Sequence, residues 1–184
     1  MKPNQAVCAL LDALQEAEIP HMVTGGLATN AHGIARSTDD ADVVVQVDGS
    51  GLDRLASTLP SELQIGEQLS FEAITGSRRV IVTLRNHPFI IELFFLGSDP
   101  HHQERFRRRI HRYLPDLNRE AWLATAEDMI IQKIRWNRDK DRDDARNILA
   151  VQSDTLDFDY IEGWCRIHGT HSRLEELRRS IPPV

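Results

Sequence analysis

Asp40 and Asp42 stand at the start of an apolar run, Val43-Val44-Val45 with Val47. On a strand, residues two apart project from the same face. Two carboxylates side by side repel, which is costly unless a cation lies between them. Mg²⁺ suits that place, because it takes carboxylate oxygens and leaves room for phosphate oxygens. Upstream, Val23-Thr24-Gly25-Gly26 reads as a strand turning into a helix start, where bare backbone N–H groups can meet a phosphate. A phosphate cradle beside metal carboxylates is the minimum equipment for nucleotide chemistry. A DxD pair alone is weak ground, since acidic pairs often open solvated strands. The β-branched run behind this one suggests a strand buried on both faces, and carboxylates at its mouth point to ligand work.

A third carboxylate joins them. Phe89 to Leu96 is an apolar run interrupted once, at Glu92. A lone Glu in a strand is expensive to bury without a partner. It reads as the third member of an acidic cluster with Asp40 and Asp42, ahead of an edge residue paired with a nearby arginine.

The elements that must position these groups follow from periodicity. Val7, Leu10, Leu11 and Leu14 make a helical stripe over residues 4–17, ended by Pro20. Strands are expected at 21–24, 42–47, 80–84 and 89–96, with Arg85-Asn86-His87-Pro88 as a hairpin turn. Helices are expected at 25–32 and 52–59, and a turn at Asp48-Gly49-Ser50-Gly51. Helical signals dominate from Ala126 onward. Thr125 and Asp157 are candidate N-caps, Gly169 a break, and Pro182-Pro183 a stop. Trp122, Trp136 and Trp164 are expected to pack within amphipathic helices. The fold class expected is α+β: a small mixed β-sheet core with flanking helices over residues 1–118, then a helical subdomain over 119–184.

The glycine pair, the Thr38-x-Asp40-x-Asp42 pattern and the carboxylate in a later apolar strand resemble the nucleotidyltransferase superfamily with a DNA polymerase β-like core. Within it the chain is similar to the AbiEii-type branch of small proteins, many found in toxin–antitoxin and phage-defence settings. Glu127 to Ile134 resembles that branch's helical motif, with Lys133 near the nucleotide. Asp141, Asp143, Asp144 and Asn147 lie where the branch carries a further acidic signature. If one helix ran unbroken from Lys133, Asp144 would share its face, which favours Asp144. The resemblance spans about residues 23–149.

It implies transfer of a nucleoside monophosphate from an NTP to an acceptor, with loss of pyrophosphate. Asp40, Asp42 and Glu92 would be catalytic and hold Mg²⁺ or Mn²⁺, with two ions roughly 3.5–4 Å apart. Gly25, Gly26, Arg36, Thr38, Lys133 and Asp144 would bind the nucleotide. The expected acceptor is an RNA, tRNA included, or a protein, and a cognate toxin or antitoxin is an expected partner. The alternative is a catalytically silent nucleotide- or partner-binding module. A phosphohydrolase would need the same acids but has no use for the triphosphate cradle.

Composition bounds the rest. A net charge of −6 argues mildly against broad nucleic-acid binding, but Arg105, Arg107, Arg108, Arg109 and Arg112 form a basic run. That run reads equally as a phosphate-contacting surface or a solvated helix face. His101, His102 and His111 fit no zinc spacing and read as solvated. Cys8 and Cys165 read as reduced. No apolar run reaches membrane-spanning length and Met1-Lys2-Pro3-Asn4 does not begin a signal peptide, so a cytoplasmic chain without a membrane partner is expected. Asp139-x-Asp141-x-Asp143 fails as a calcium loop, with Asp144 where Gly is needed and Ala150 where Glu is needed. No Walker loop and no Gly-x-Ser-x-Gly elbow is present.

Overall fold

The computed structural model describes residues 1–47, 50–72 and 74–181. The expected turn at 48–51 and the Pro182-Pro183 stop fall partly or wholly outside them.

The central element is strand β2 (Asp40–Val45), paired in parallel with β6 (Ile90–Phe95) and antiparallel with β1 (His21–Thr24). Strand β5 (Arg78–Leu84) runs antiparallel to β6 through a hairpin at Asn86, which holds the left-handed conformation that asparagine tolerates. Short β3 (Leu63–Ile65) and β4 (Ser70–Phe71) pair on β5. The order is β3-β5-β6-β2-β1-β8-β7, a mixed sheet with β4 on the side. Ala41, Val43, Val44 and Val45 are all buried, so alternate side chains meet protein on both faces of β2.

The largest departure from expectation lies in the hairpin of β7 (Ile110–Leu114) and β8 (Arg119–Leu123). β8 lies parallel to β1, with Val23 facing Leu123. The sheet therefore continues past the 118/119 division expected from sequence. Trp122 lies on β8, half-exposed and stacked on His111, not in an amphipathic helix. Glu120, Ala121 and Leu123 are good helix formers, but pairing with β1 overrides propensity here.

Helix α1 (Pro3–Glu16) starts with Pro at its first turn and buries Ala6, Val7, Leu10, Leu11 and Leu14. It packs on α3 (Gly51–Thr58), while α2 (Gly25–His32) lies against β2 and β1. After β8 come α5 (Ala126–Trp136), α6 (Asp139–Gln152), α7 (Phe158–Ile167) and α8 (His171–Arg179). Thr125 and Asp157 cap α5 and α7 by accepting N–H bonds from Asp128 and Tyr160, and Gly169 with φ 66° separates α7 from α8. The basic run falls on α4 (Pro100–Arg107) and into β7. Among the described residues no helix is long and apolar enough to cross a membrane.

Candidate active site

The register of β2 and β6 aligns the carboxylates. Asp42 and Glu92 are direct partners across the two strands, and Asp40 sits two residues earlier on the face of Asp42. They line a cleft of about 280 Å³ with Gly26, Arg36, Thr38 and Lys133. Seven of the nine sequence-selected residues thus share one cavity.

Gly25 lies just behind this wall. Its φ is +60°, and a Cβ there would stand 1.7 Å from Asp42 Oδ2. Both facts demand glycine: the left-handed conformation and the close approach of β2. A Cβ on Gly26 would meet Thr38 Oγ1 at 2.7 Å. α2 begins here with no side-chain cap, so its first N–H groups face the cleft end without a side-chain acceptor.

Thr38 donates through Oγ1 to Asp40 Oδ1 at 2.9 Å, fixing the first carboxylate. Glu92 Oε2 accepts from Arg79 Nη1 at 2.8 Å. Burial pushes Asp42 up to about 7, with Asp40 and Glu92 adding repulsion and Lys133 opposing it. A cation bound beside Asp42 would relieve that crowding. The donors of the trio are all carboxylate oxygens, which fits Mg²⁺ or Mn²⁺ better than softer metals. Elsewhere Glu162, His171 and Glu175 bring ligand atoms within 4.8 Å of one another. There Glu162 is already paired with Arg166 and Arg178, and Glu175 with Arg178.

Lys133 is buried on α5, its Nζ donating to Asp141 Oδ1 at 3.1 Å and Asp144 Oδ2 at 2.8 Å. The contact with Asp144 exists, but not through one continuous helix. Asn137, left-handed at φ 57°, ends α5, and α6 folds back so that the two side chains meet across helices. Asp144 also accepts two bonds from Arg36, at Nε and Nη2, both 2.8 Å. Burial alone would raise Asp144, and these cations outweigh it and hold it below the usual carboxylate range. Asp141 is held by Arg138, while Asp143 lies exposed beside Arg146.

Sequence reasoning missed three cations that line the cleft: Arg79, Arg138 and Lys140. Arg79 faces Phe94 in the register of β5 and β6 and reaches Glu92 diagonally, two residues from Ile81, the strand partner of Glu92. Trp136 also lines the cleft, so it is not solely a packing residue. The histidines expected to be solvated divide: His111 is exposed, but His101 and His102 are buried.

No family model and no curated protein match the chain. Solved structures do. The antibiotic-resistance factor ANT(2'')-Ia in solution is 12% identical, with a TM-score of 0.60 and 96% of each chain covered. Its crystal structure with adenylyl-2''-tobramycin is 14% identical, with a TM-score of 0.60, covering 93% of this chain and 98% of that one. The lincosamide antibiotic adenylyltransferase LnuA, lincomycin-bound, is 9% identical with a TM-score of 0.53, covering 80% and 96%. An antigenic nucleotidyltransferase-like protein from Paracoccidioides brasiliensis is 17% identical with a TM-score of 0.51, covering 98% and 94%. The chain has the nucleotidyltransferase fold.

Proposed function

We propose that the chain is a metal-dependent nucleotidyltransferase. The observation that carries this is the alignment of Asp42 with Glu92 on adjacent parallel strands, with Asp40 beside them and the glycine turn behind. Asp40, Asp42 and Glu92 would hold Mg²⁺ or Mn²⁺, which when bound supplies Lewis-acid stabilisation of the charge developing on the phosphates. The backbone N–H groups at Gly25 and Gly26 bind the outer phosphates of an NTP. Arg36, Arg138 and Lys140, with Lys133 behind them, offset the triphosphate charge. Thr38 keeps Asp40 oriented, and Asp144 keeps Arg36 and Lys133 in place.

Glu92 accepts the proton of the acceptor hydroxyl. That oxygen bonds to the α-phosphorus as the bond to the bridging oxygen breaks. The electron pair leaves on pyrophosphate.

The resemblance to the AbiEii-type branch supports an RNA or protein acceptor, tRNA included, and a toxin–antitoxin or phage-defence setting with a cognate partner. Free Cys8 and Cys165 suit a cytoplasmic location. A second reading, a small hydroxylated acceptor, is favoured by the basic run. It presents no continuous patch: Arg105 is buried, Arg107 bonds Glu104, Arg108 lies over Tyr160, and Arg109 lies over Phe106 and Trp122. Two of the solved structures similar to this chain hold adenylyl-2''-tobramycin and lincomycin, which supports the same reading.

The test is to incubate the chain with each labelled NTP and Mg²⁺ or Mn²⁺, against pools of RNA, protein and small hydroxylated molecules. Label that enters one pool and disappears with Asp42→Asn supports transfer and names the acceptor class. NTP binding with no label in any pool leaves the silent binding module in its place.

A further inference from the structure

Beneath the carboxylates the cleft continues inward. Val44 and Phe94 follow Asp42 and Glu92 by two residues on β2 and β6, so they share that face one row deeper, about 6.6 Å on. They floor a recess roofed by Gln132 and Trp136 of α5 and closed by His102 and Arg105 of α4, with Glu72 also on its lining, its carboxylate accepting from Ile74 N, Thr75 N and Thr75 Oγ1. Glu72, Phe94 and Trp136 line both cavities, so the recess and the cleft adjoin.

The polar groups around it are buried and unmatched. Arg105 is 4% exposed, and its Nε and Nη1 have no hydrogen-bond partner among the described residues. Gln132 is 1% exposed with both amide atoms unpartnered, and His102 Nε2 is unpartnered as well. Asp128, Asp99 and Asp42 attract Arg105 electrostatically, yet none lies within ion-pair distance of it. Asp99 is already held by Arg135, and Asp128 by His101, Thr125 and Tyr160. A buried guanidinium without a counter-ion is costly, and a neutral water cannot supply the missing charge. The free space is about 20 Å³. That is room for about one water-sized group, such as a single carboxylate oxygen, and not for a ring or a phosphate.

We propose that this recess binds a carboxylate of the acceptor, with Arg105 and the Gln132 amide as donors. The inference rests on the nucleotidyl-transfer reading in its small-molecule form. The nucleotide has no carboxylate, and its phosphates belong to the glycine turn and the cleft cations, so the anion comes from the acceptor. With the reacting hydroxyl at Glu92 and the carboxylate one row deeper, the acceptor is a hydroxy acid. Its two groups stand about 7 Å apart, since two residues along a strand cover that distance. Arg105 is then a specificity-determining residue.

The experiment has a binding arm and a transfer arm. In the first, the Arg105 Nε–H resonance and the melting temperature are followed as hexanoate, hexan-1-ol or inorganic phosphate is added without NTP. Hexanoate is expected to shift the resonance saturably and raise the melting temperature of the wild type. Hexan-1-ol should do neither, and Arg105→Met should show no rise. That variant replaces an unpaired buried cation by an apolar chain of similar volume, so it is expected to fold. No response of the wild type, an equal rise in Arg105→Met, or a response to phosphate matching that to hexanoate overturns the proposal.

In the second arm, labelled NTP and Mg²⁺ are offered with 4-hydroxybutanoate, 5-hydroxypentanoate, 6-hydroxyhexanoate and hexane-1,6-diol, alongside pools of RNA and protein. The two longer acids should exceed the diol at least tenfold in kcat/KM, an advantage lost in Arg105→Met. Label passing to RNA or protein in preference to every acid overturns the inference and leaves nucleotidyl transfer standing. Label passing to nothing at all overturns the reading of function itself, whatever the binding arm shows.

Discussion

The cleft and the basic run on α4 are both rich in charge, and they differ in how sequence maps onto space. The cleft collects Asp40, Asp42, Arg79, Glu92, Lys133, Arg138 and Lys140 from five separate segments into one wall. The basic run keeps its arginines adjacent in sequence and sends them to different surroundings: one into the core, one to a surface Glu, two onto aromatic rings. Proximity along the chain is a poor guide to a shared field. Strand register and helix return angles decide which charges meet.

The comparison can be broken most decisively at Asp42. Replacing it by Asn should lower kcat by about 10³-fold or more, as expected when a group that stabilises the transition state is lost. The melting temperature should hold or rise, because the charge removed is one that Asp40 and Glu92 repel. Activity within tenfold of wild type in a steady-state assay would detach the cleft from the chemistry.

Lys133 probes the pairing within the cleft. Lys133→Met leaves Asp144 with Arg36 and Asp141 with Arg138, so the loss is cushioned. A cost of about 2–3 kcal/mol is expected in denaturant unfolding, below that of a buried pair left wholly uncompensated. A neutral result would mean that the two remaining arginines carry the site alone.

The α4 side is sharpened by acid. Burial first, then Arg105 and other neighbours, holds His102 down to about 3, and burial holds His168 at about 4. His101 is lowered as well, again chiefly by burial. The unfolded chain binds these protons near 6.5, so their stabilisation is complete above that pH and is lost as pH falls towards 4. Each fully titrating histidine contributes a slope of at most about 1.4 kcal/mol per pH unit. Asp42 acts in the opposite sense between its unfolded value of 3.8 and about 7, offsetting one of the three. Melts from pH 8 to 5 should show the midpoint falling below about 6.5, and a flat profile would contradict the buried histidine cluster.

The smallest effect is expected at the surface of the basic run. Arg107 is largely exposed and, among the described residues, pairs with Glu104 on its own helix. Arg107→Ala should change stability by less than about 0.5 kcal/mol. It should leave transfer kinetics unchanged, unless the run is an RNA-contacting face, in which case turnover on RNA would drop.

Much of the site was legible because its residues break local rules. A carboxylate pair opens a β-branched strand, and a lone Glu interrupts an apolar one. The hairpin of β7 and β8 was hidden because Glu120, Ala121 and Leu123 are helix formers, and only the partner strand β1 decides otherwise. Asp144 was selected on the premise of an unbroken helix. The contact with Lys133 instead comes from a turn at Asn137, whose left-handed backbone no periodicity announces.

By itself the sequence determined strands β1, β2, β5 and β6 and the glycine turn, because these depend on local pattern and on φ and ψ preferences. Only the tertiary structure decided that Arg79 would hold Glu92, that Lys133 would sit between Asp141 and Asp144, and that Arg105 would lie buried without an ion-pair partner among the described residues. Those outcomes depend on register and helix packing between segments far apart in the chain, where the cost of an unmatched charge is set by what else is buried beside it.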